Sequence, residues 1–273
     1  MTHIGDNAFS NCTNLTEVVI PDSVTTFDLR AFHDCTNLKS ITIGNGLIRS
    51  RGSVFFGCKN LESVYISDLE AWCKVSFTGD ITANPLQGRF YLAAENGVDL
   101  YLNGNLVTDL VIPESITEIF PYVFNGCRSL KSVTIYGKMT QFSYSFRFCR
   151  NLESVTILDG VTSIGAEAFY DCENLANVII PDSIITIDDM AFYKCVSLTD
   201  ITIPANVTSI GDSAFEECEK LANVTFEDTS TWYTTDEDDK YDSNQLPMDV
   251  TDPEVNASNL KDIYDSIRYW WKK

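Results

Sequence analysis

The sequence is poor in the residues that build most metal and catalytic centres. It has only two histidines, His3 and His33, and its nine cysteines include no Cys-x-x-Cys pair. Zinc sites need such ligands at short spacing, so we expect no metal site. The chain also lacks a G-x-S-x-G nucleophile motif and a glycine-rich phosphate loop. We therefore expect no catalytic residues and no cofactor, although a glycosidase pair among the scattered acids stays open.

Basic residues are also scarce. Nineteen lysines and arginines face 39 acidic residues, which gives a net charge of -20 at pH 7. Such a surface repels phosphate backbones and anionic lipids, so we expect neither nucleic acid nor a membrane as a partner. No apolar run reaches the roughly 18 residues that span a bilayer. The chain starts inside a repeat, so we expect its first coil to begin upstream of Met1, where an export signal would lie.

What the sequence has in abundance is a 23-residue repeat. Cys12, Cys35 and Cys58 are 23 residues apart, and so are Cys172, Cys195 and Cys218. Phenylalanine and leucine recur with the cysteines, at Phe9, Phe32, Phe55, Phe124, Phe146, Phe169, Phe192 and Phe215, and at Leu15, Leu38, Leu61, Leu130, Leu152, Leu175, Leu198 and Leu221. A period between 20 and 50 residues predicts a solenoid. We interpret the cysteines as reduced thiols packed inside it as small hydrophobic side chains.

Each repeat carries one strand, such as Leu198–Ile203, whose spacing resembles the leucine-rich-repeat strand. Leu198, Ile201 and Ile203 are predicted to point inward, and Asp200 and Thr202 outward. Proline ends several of these strands, and the return segment with its Ala-Phe pair is predicted to form a turn or a short helical turn. One coil buries too little to fold alone. The predicted fold is a leucine-rich-repeat β-solenoid: a mainly parallel sheet of about nine strands, an inserted antiparallel hairpin and a C-terminal cap.

The repeat breaks once inside the chain, and we divide one continuous solenoid domain into residues 1–66, 67–106, 107–230 and 231–273. The insert at 67–106 begins with SDLEAWC, which predicts a short helix carrying Trp72 and Cys73. Asn103-Gly104 between alternating apolar residues predicts a hairpin, with 98–102 pairing antiparallel to 106–112 and interrupting the parallel sheet. The insert is either a binding module or a variant coil that keeps the solenoid sealed.

The last segment is interpreted as an end cap. Trp232, Tyr233, Trp270 and Trp271 can cover the last coil. A terminal helix is predicted from the spacing of Leu260, Ile263, Tyr264 and Ile267. Residues 234–245 are predicted to form a loop. The stretch 234–244 is rich in oxygen ligands but lacks the spacing of a calcium loop, so a solvated loop is favoured over a calcium site.

Two irregularities put the local geometry of single coils in doubt. Ser50 and Arg51 replace an apolar residue and a glycine, and the repeat that ends at Cys149 is one residue short.

The outward positions of the strands form the candidate binding row. Its members are Tyr65, Val111, Thr134, Thr156, Ile179, Thr202 and Thr225, with Val19 and Thr42 in the same register. Such a broad face with few charges suits a flat protein or glycan partner. The alternative is a solvated sheet on which threonine and valine are good cross-strand neighbours.

Repeat units such as LTDITIPANVTSIGDSAFEEC and LTEVVIPDSVTTFDLRAFHDC resemble those of the BspA-like leucine-rich-repeat proteins. The resemblance implies a bacterial cell-surface or secreted protein, outside the cell, that adheres to a protein or glycan on host or neighbouring cells. The alternatives are a structural spacer of a larger surface protein and, from another class, a carbohydrate-degrading enzyme in the insert.

Overall fold

The computed structural model of the protein describes residues 1–79, 81–87, 97–139, 142–230, 232–235, 246–261 and 269–272. Two compact units are present, one made of residues 1–108 with 119–130 and the other of 109–118 with 131–273. In each unit the chain winds in coils, and equivalent segments of successive coils pair with one another. The predicted leucine-rich-repeat β-solenoid is confirmed.

The first unit contains two sheets. The outer sheet holds the parallel strands Glu17–Ile20, Ser40–Ile43, Ser63–Ile66 and Asp99–Leu102, followed by the antiparallel strand Asn105–Leu106. The return segments pair as the two-residue parallel strands His3–Ile4, Thr26–Phe27, Arg49–Ser50 and Ser76–Phe77. A short helix, Leu69–Cys73, and two 3₁₀ turns, Ile81–Ala83 and Pro85–Gln87, complete the unit. The helix lies where SDLEAWC predicted it, with Trp72 and Cys73 buried.

The second unit repeats this arrangement. Its outer strands are Asp109–Ile112, Ser132–Ile135, Ser154–Ile157 and Asn177–Ile179 in one parallel sheet, and Asp200–Ile203 with Asn223–Phe226 in another. Its return strands are Ser163–Ile164, Thr186–Ile187 and Ser209–Ile210. The strands Trp232–Thr235, Leu246–Met248 and Tyr269–Lys272 and the helix Pro253–Leu260 follow in the last segment.

The repeating phenylalanines form stacked columns inside each unit. In the first, the rings of Phe9, Phe32 and Phe55 stack with centroids 5.2 and 5.7 Å apart. In the second, Phe146, Phe169, Phe192 and Phe215 stack at 5.3–5.5 Å. The spacing follows from the strand pairing, because every 23 residues the chain returns one strand separation further along the stack. The recurring phenylalanines other than the partly exposed Phe9 are therefore buried core residues, as predicted.

The return segments are turns, and their backbone explains why no helix forms there. Two residues of a typical coil have left-handed φ angles, such as Met190 (53°) and Lys194 (59°). This conformation turns alternate amides toward the next coil, so that Phe192 N–H donates to the Ala214 carbonyl at 2.8 Å. The second, return-side sheet was not predicted from the sequence.

The hairpin prediction was partly wrong. Asp99–Leu102 pairs parallel with Ser63–Ile66 and so continues the parallel sheet instead of interrupting it. Its antiparallel partner is only Asn105–Leu106, joined by the predicted Asn103-Gly104 turn. Asp109–Ile112 pairs parallel with Ser132–Ile135, because those residues already carry the inward alternation of a normal repeat strand.

The end of the second unit is closed, as predicted for a cap. The side chains of Trp232 and Trp270 are buried, and both rings contact Phe226. The strand Tyr269–Lys272 pairs antiparallel with Ser209–Ile210. The helix ends at Leu260, where the predicted helix was to begin; Ile263, Tyr264 and Ile267 lie outside the described residues.

The loop prediction in the last segment is corrected at its start. Residues 234 and 235 belong to the strand Trp232–Thr235, which pairs with two neighbouring strands. The rest of the acidic stretch with the calcium-like composition, from residue 236, lies outside the described residues.

The irregular coil at Ser50 keeps its geometry. The Ser50 side chain is fully buried, and its hydroxyl donates a hydrogen bond of 2.7 Å to the carbonyl of Ala83. Later coils carry Ile164, Ile187 or Ile210 at this position. A polar group is tolerated here because its donor is satisfied.

Candidate interaction surface

The outward positions of each strand follow from the alternation of a half-buried strand. In Ser154–Ile157, Val155 and Ile157 lie in the core, whereas Ser154 and Thr156 are partly exposed. The same pattern holds in Ser40–Ile43, Ser63–Ile66 and Ser132–Ile135. The predicted binding row therefore lies on the solvent side of the outer sheets.

In the second unit the structure brings four predicted residues side by side. Val111, Thr134, Thr156 and Ile179 are consecutive register partners across four parallel strands. Thr202 and Thr225 are register partners in the adjoining pair of strands. Because the strands Asn177–Ile179 and Asp200–Ile203 are in contact, the six positions follow one another around the unit.

The first and last residues of the four-strand part of this row, Val111 and Ile179, are unusually apolar for a solvent face. Val111 is 51% exposed and Ile179 is 59% exposed, and Tyr136, two positions after Thr134, is 43% exposed. Burying an isoleucine or valine side chain contributes about 1.5–3 kcal/mol. The exposed part of these side chains does not contribute this free energy in the free protein. A partner that buried them would gain it on binding.

The neighbouring row is polar and internally hydrogen bonded. The hydroxyl of Ser132 donates to Asp109 Oδ1 at 2.5 Å, and Asn223 Nδ2 donates to Asp200 Oδ1 at 2.6 Å. The Asn223 hydrogen bond, followed by one from Thr199, holds the pKa of Asp200 below its usual value. Asp200 therefore stays ionised at neutral pH and borders the apolar Ile179 with negative charge.

In the first unit the candidate Tyr65 has a partner that the sequence interpretation missed. Tyr101 is its register neighbour, and the two rings stack with centroids 4.7 Å apart and planes 23° from parallel. Tyr101 was overlooked because it lies in the insert, outside the regular repeat. The sequence feature that could have identified Tyr101 is its position two residues before the Asn103-Gly104 turn. Val19 and Thr42 continue the same row, and Val19 is largely exposed.

A charged pair borders the tyrosines. Arg128 Nε and Nη2 donate to the two carboxylate oxygens of Asp99 at 2.9 and 2.6 Å. Asp99 occupies the outward position two residues before Tyr101. The bidentate pair neutralises the one acid on this strand, so the tyrosines lie beside a compensated charge.

A second surface feature, on the return side of the second unit, was also missed. The guanidinium of Arg147 lies 5.1 Å from the ring centroid of Phe148 and 4.9 Å from that of Tyr170. Arg150 and Lys194 form ion pairs with the buried Asp171. Arg147 also pairs with Glu167, and Arg150 with Glu173, so three cations pair with three acids, which is typical of a structural ion-pair network.

His33 and the cysteines, which are the residues most able to carry catalysis, contact structural neighbours or are buried. His33 Nδ1 lies 3.0 Å from Asp34 Oδ2, and its ring stacks on Phe56. Burial raises the pKa of the Cys127 thiol to about 11, and that of Cys218 to about 12. Such thiols are protonated at neutral pH and are poor nucleophiles. Among the described residues, no three histidine, cysteine or acidic side chains group as a metal site.

Comparison with known proteins identifies the repeat. The family described as "BspA type Leucine rich repeat region" matches the chain in six copies, over residues 1–81, 99–145 and 140–236. The chain belongs to the BspA-type leucine-rich-repeat family. Tyr65 lies in the first of these BspA-type stretches, Val111 and Thr134 in the second, and Thr156, Ile179, Thr202 and Thr225 in the third.

Several solved structures are similar to this BspA-type chain. A leucine-rich repeat protein from Bacteroides ovatus is 24% identical, with 82% of this chain and 76% of that chain covered and a TM-score of 0.43. A leucine rich cell surface protein from Faecalibacterium prausnitzii is 21% identical, with 84% and 83% covered and a TM-score of 0.37. The pneumococcal vaccine antigen PcpA is 18% identical, with 83% and 67% covered and a TM-score of 0.41. Comparison with curated proteins gives no match.

Within the described ranges, no helix of the BspA-type chain has both the length and the apolar character needed to cross a bilayer.

Proposed function

We propose that this protein is a non-catalytic recognition module, displayed at or released from a cell surface, that binds another protein through the outer face of its solenoid sheets. The observation that carries the proposal is the row of outward residues from Val111 to Ile179 in the second unit, on register-matched strands, whose two end residues are exposed and apolar. BspA-type membership supports the surface setting. The raised pKa values of the buried thiols and the pairing of the return-side charges in ion pairs favour binding over catalysis.

A protein partner fits this face better than a sugar. The centres of protein interfaces are depleted in charge and rich in apolar and aromatic side chains, with polar groups at the rim. Val111, Tyr136 and Ile179 with the bordering acids Asp109 and Asp200 match that pattern. Sugars stack on the open face of an aromatic ring, but Tyr65 and Tyr101 stack on each other.

The charge of the chain sets a second property of the partner. A net charge of -20 repels acidic proteins and attracts basic ones. We therefore expect a partner with a basic surface and an association rate that falls as salt is added.

The proposal is tested with the whole chain against purified extracellular-matrix proteins and a glycan array. Ile179→Glu places a charge at the exposed end of the row and should weaken protein binding at least tenfold. The matched control is Ile185→Glu, an isoleucine that is 47% exposed on the return side of the same coil and outside the row. The control should bind like the unmodified chain.

The alternative function is a structural spacer. It is favoured by the recurring side chains of each coil, which pack against the neighbouring coils. A spacer gives no signal on either array. Equal losses in the two isoleucine variants would place recognition outside the row and contradict the proposal.

A further inference from the structure

Four asparagines of the chain are followed directly by glycine: Asn45, Asn96, Asn103 and Asn125. In such a pair the backbone nitrogen of the glycine can attack the side-chain carbonyl carbon of the asparagine, because glycine has no Cβ to shield its nitrogen. The pair is the same at all four places, so a difference in reactivity between them comes from the fold. Three of the pairs are described by the structure, and Asn96 lies outside the described residues.

Asn45 is exposed, but its side chain and backbone are held in place. Its Oδ1 accepts a hydrogen bond from the Ser67 hydroxyl at 2.9 Å, and its backbone N–H donates to Asp22 Oδ1 at 2.8 Å. A Cβ added at Gly46 would lie 1.7 Å from the Asp22 carbonyl oxygen, so the backbone there is packed against the preceding coil. Bringing the Asn45 side chain onto the Gly46 nitrogen therefore costs hydrogen bonds and packing.

Asn125 is fully buried. Its Nδ2 donates to Gln87 Oε1, and its backbone N–H donates to the Tyr122 carbonyl at 3.0 Å. A Cβ added at Gly126 would lie 2.9 Å from the Leu86 carbonyl oxygen. Close packing therefore opposes both the movement of this side chain and the entry of water.

Asn103 has none of these restraints. It lies with Gly104 at the exposed tip of the hairpin that joins Asp99–Leu102 to Asn105–Leu106. A Cβ added at Gly104 meets nothing within 4 Å, so the Gly104 nitrogen is open on that side. Within the described part of the chain, the Asn103 side chain makes no hydrogen bond and the Gly104 N–H donates none.

We propose that Asn103 is a site of spontaneous deamidation, where the Gly104 nitrogen closes a succinimide ring on the Asn103 side chain. The bond from this nitrogen to Cγ forms and the bond from Cγ to Nδ2 breaks. Nδ2 leaves as ammonia, with the proton that the Gly104 amide gives up. One water molecule then opens the ring. Opening at Cγ yields aspartate, and opening at the backbone carbonyl carbon yields isoaspartate, in which the chain continues through Cγ.

The two products affect the hairpin differently. Asn103 has a left-handed φ of 52°, which aspartate also adopts, so the aspartate product keeps the turn and adds one negative charge. Isoaspartate adds one carbon atom to the backbone of a two-residue turn, whose length sets the hairpin register. We expect it to break the register pairs of Tyr101 with Leu106 and of Leu102 with Asn105.

The modified residue lies next to the tyrosine pair of the first unit. Tyr101 stacks on Tyr65 on one side and pairs with Leu106, which is 44% exposed, on the other. Release of the strand Asn105–Leu106 would uncover that side of Tyr101. The outer sheet of the first unit therefore changes in one direction with time, and this change does not depend on partner binding at Ile179.

The test ages the whole chain at neutral pH, both folded and in urea. Peptide mapping with tandem mass spectrometry follows each asparagine, and labelling by isoaspartyl methyltransferase identifies isoaspartate. In the folded chain we expect Asn103 to convert at least tenfold faster than Asn45 and Asn125. In urea the three rates should come close together, because only the shared Asn-Gly pair remains. A folded Asn103 that converts no faster than Asn45 would overturn the proposed site.

Asn103→Gly is the matched control, because a Gly-Gly pair also forms this turn and offers no side chain to attack. The Val107 N–H donates to the Leu100 carbonyl at 2.9 Å and reports on the hairpin. Its hydrogen exchange should stay slow in the aged Asn103→Gly chain and become faster in the aged unmodified chain, in proportion to the isoaspartate formed. Unchanged exchange in a chain rich in isoaspartate would overturn the release of the strand.

Discussion

The Sγ of Cys195 donates a hydrogen bond to the backbone carbonyl of Phe169 in the preceding coil, at 3.3 Å. The same bond recurs from Cys35, Cys58, Cys172 and Cys218 at 3.0–3.2 Å. The cysteine column therefore fills space and also gives a second hydrogen bond to a carbonyl that already accepts one from its own turn, as the Phe169 carbonyl does from Cys172 N–H at 3.3 Å. This dual role explains why the repeat uses cysteine here and not alanine or valine.

Removing one such thiol should be costly. Cys195→Ala removes the thiol donor to the Phe169 carbonyl, which keeps only the amide of Cys172, and opens a small cavity. We expect the free energy of unfolding to fall by about 1–3 kcal/mol. Urea titration followed by circular dichroism measures it. Cys12→Ala, at the partly exposed first coil, serves as the control and should cost less than half as much; equal losses would contradict the role of the hydrogen bond.

The buried thiols should make stability fall at alkaline pH. Burial, with a smaller contribution from Glu70, raises the pKa of Cys73 to about 12, against about 8.5 in an unfolded chain. The unfolded state then loses its proton first, so stability is full below about pH 8.5 and falls as pH rises toward 12. Each such thiol contributes a slope of about 1.4 kcal/mol per pH unit within that window. Cys73→Val should reduce the slope between pH 9 and 10.5 by about that amount in urea titrations, and an unchanged slope would count against it.

Restoring the repeat consensus at position 50 should not stabilise the protein. Ser50→Ile removes the donor to the Ala83 carbonyl and adds volume to a fully buried site. Ser50→Ala removes only the donor and should cost about 1–3 kcal/mol. We expect the isoleucine variant to be at least as destabilised, because overpacking adds to the lost hydrogen bond. The midpoints of thermal unfolding of the two variants and of the unmodified chain test this expectation. A midpoint for Ser50→Ile above that of the unmodified chain would refute the interpretation.

Because successive coils approach closely at some glycines and not at others, alanine substitution at two of them should change the free energy of unfolding by very different amounts. A Cβ at Gly46 would lie 1.7 Å from the backbone oxygen of Asp22, so Gly46→Ala must displace backbone. We expect a loss of about 2 kcal/mol or more. Gly5→Ala, which meets nothing, should stay within about 0.5 kcal/mol of the unmodified chain. Chemical denaturation of the two variants side by side gives the comparison.

The ion pairs of the return side differ in how far they are buried. Asp171 is almost fully buried against Arg150 and Lys194, so Asp171→Ala removes the acid that both cations share and should cost about 1.5–3 kcal/mol. Glu173 pairs with the same Arg150 at 3.4 Å but is 38% exposed. Glu173→Ala should therefore cost less than about 1 kcal/mol. Denaturation midpoints measure both, and similar losses would show that burial is not what separates the two pairs.

Much of the fold follows from local repetition, which a sequence displays directly. The inward positions of Phe169 and Cys195, the outward positions of Thr156 and Ile179, and the Asn103-Gly104 turn all follow from periodicity or turn chemistry. The hairpin partner was misassigned because residues 106–112 alternate like a strand whichever neighbour they pair with. Only the winding of the chain decides that Asp109–Ile112 joins Ser132–Ile135.

The sequence by itself determined the coil, its period and which side chains face inward, because these depend on residues close together in the chain. The tertiary structure alone decided the relations between coils: the stacking of Tyr101 on Tyr65, the thiol bonds to neighbouring carbonyls and the satisfied Ser50. Those relations depend on which atoms stacking brings within hydrogen-bonding or van der Waals distance, and residues 23 or more positions apart meet only once the chain has folded.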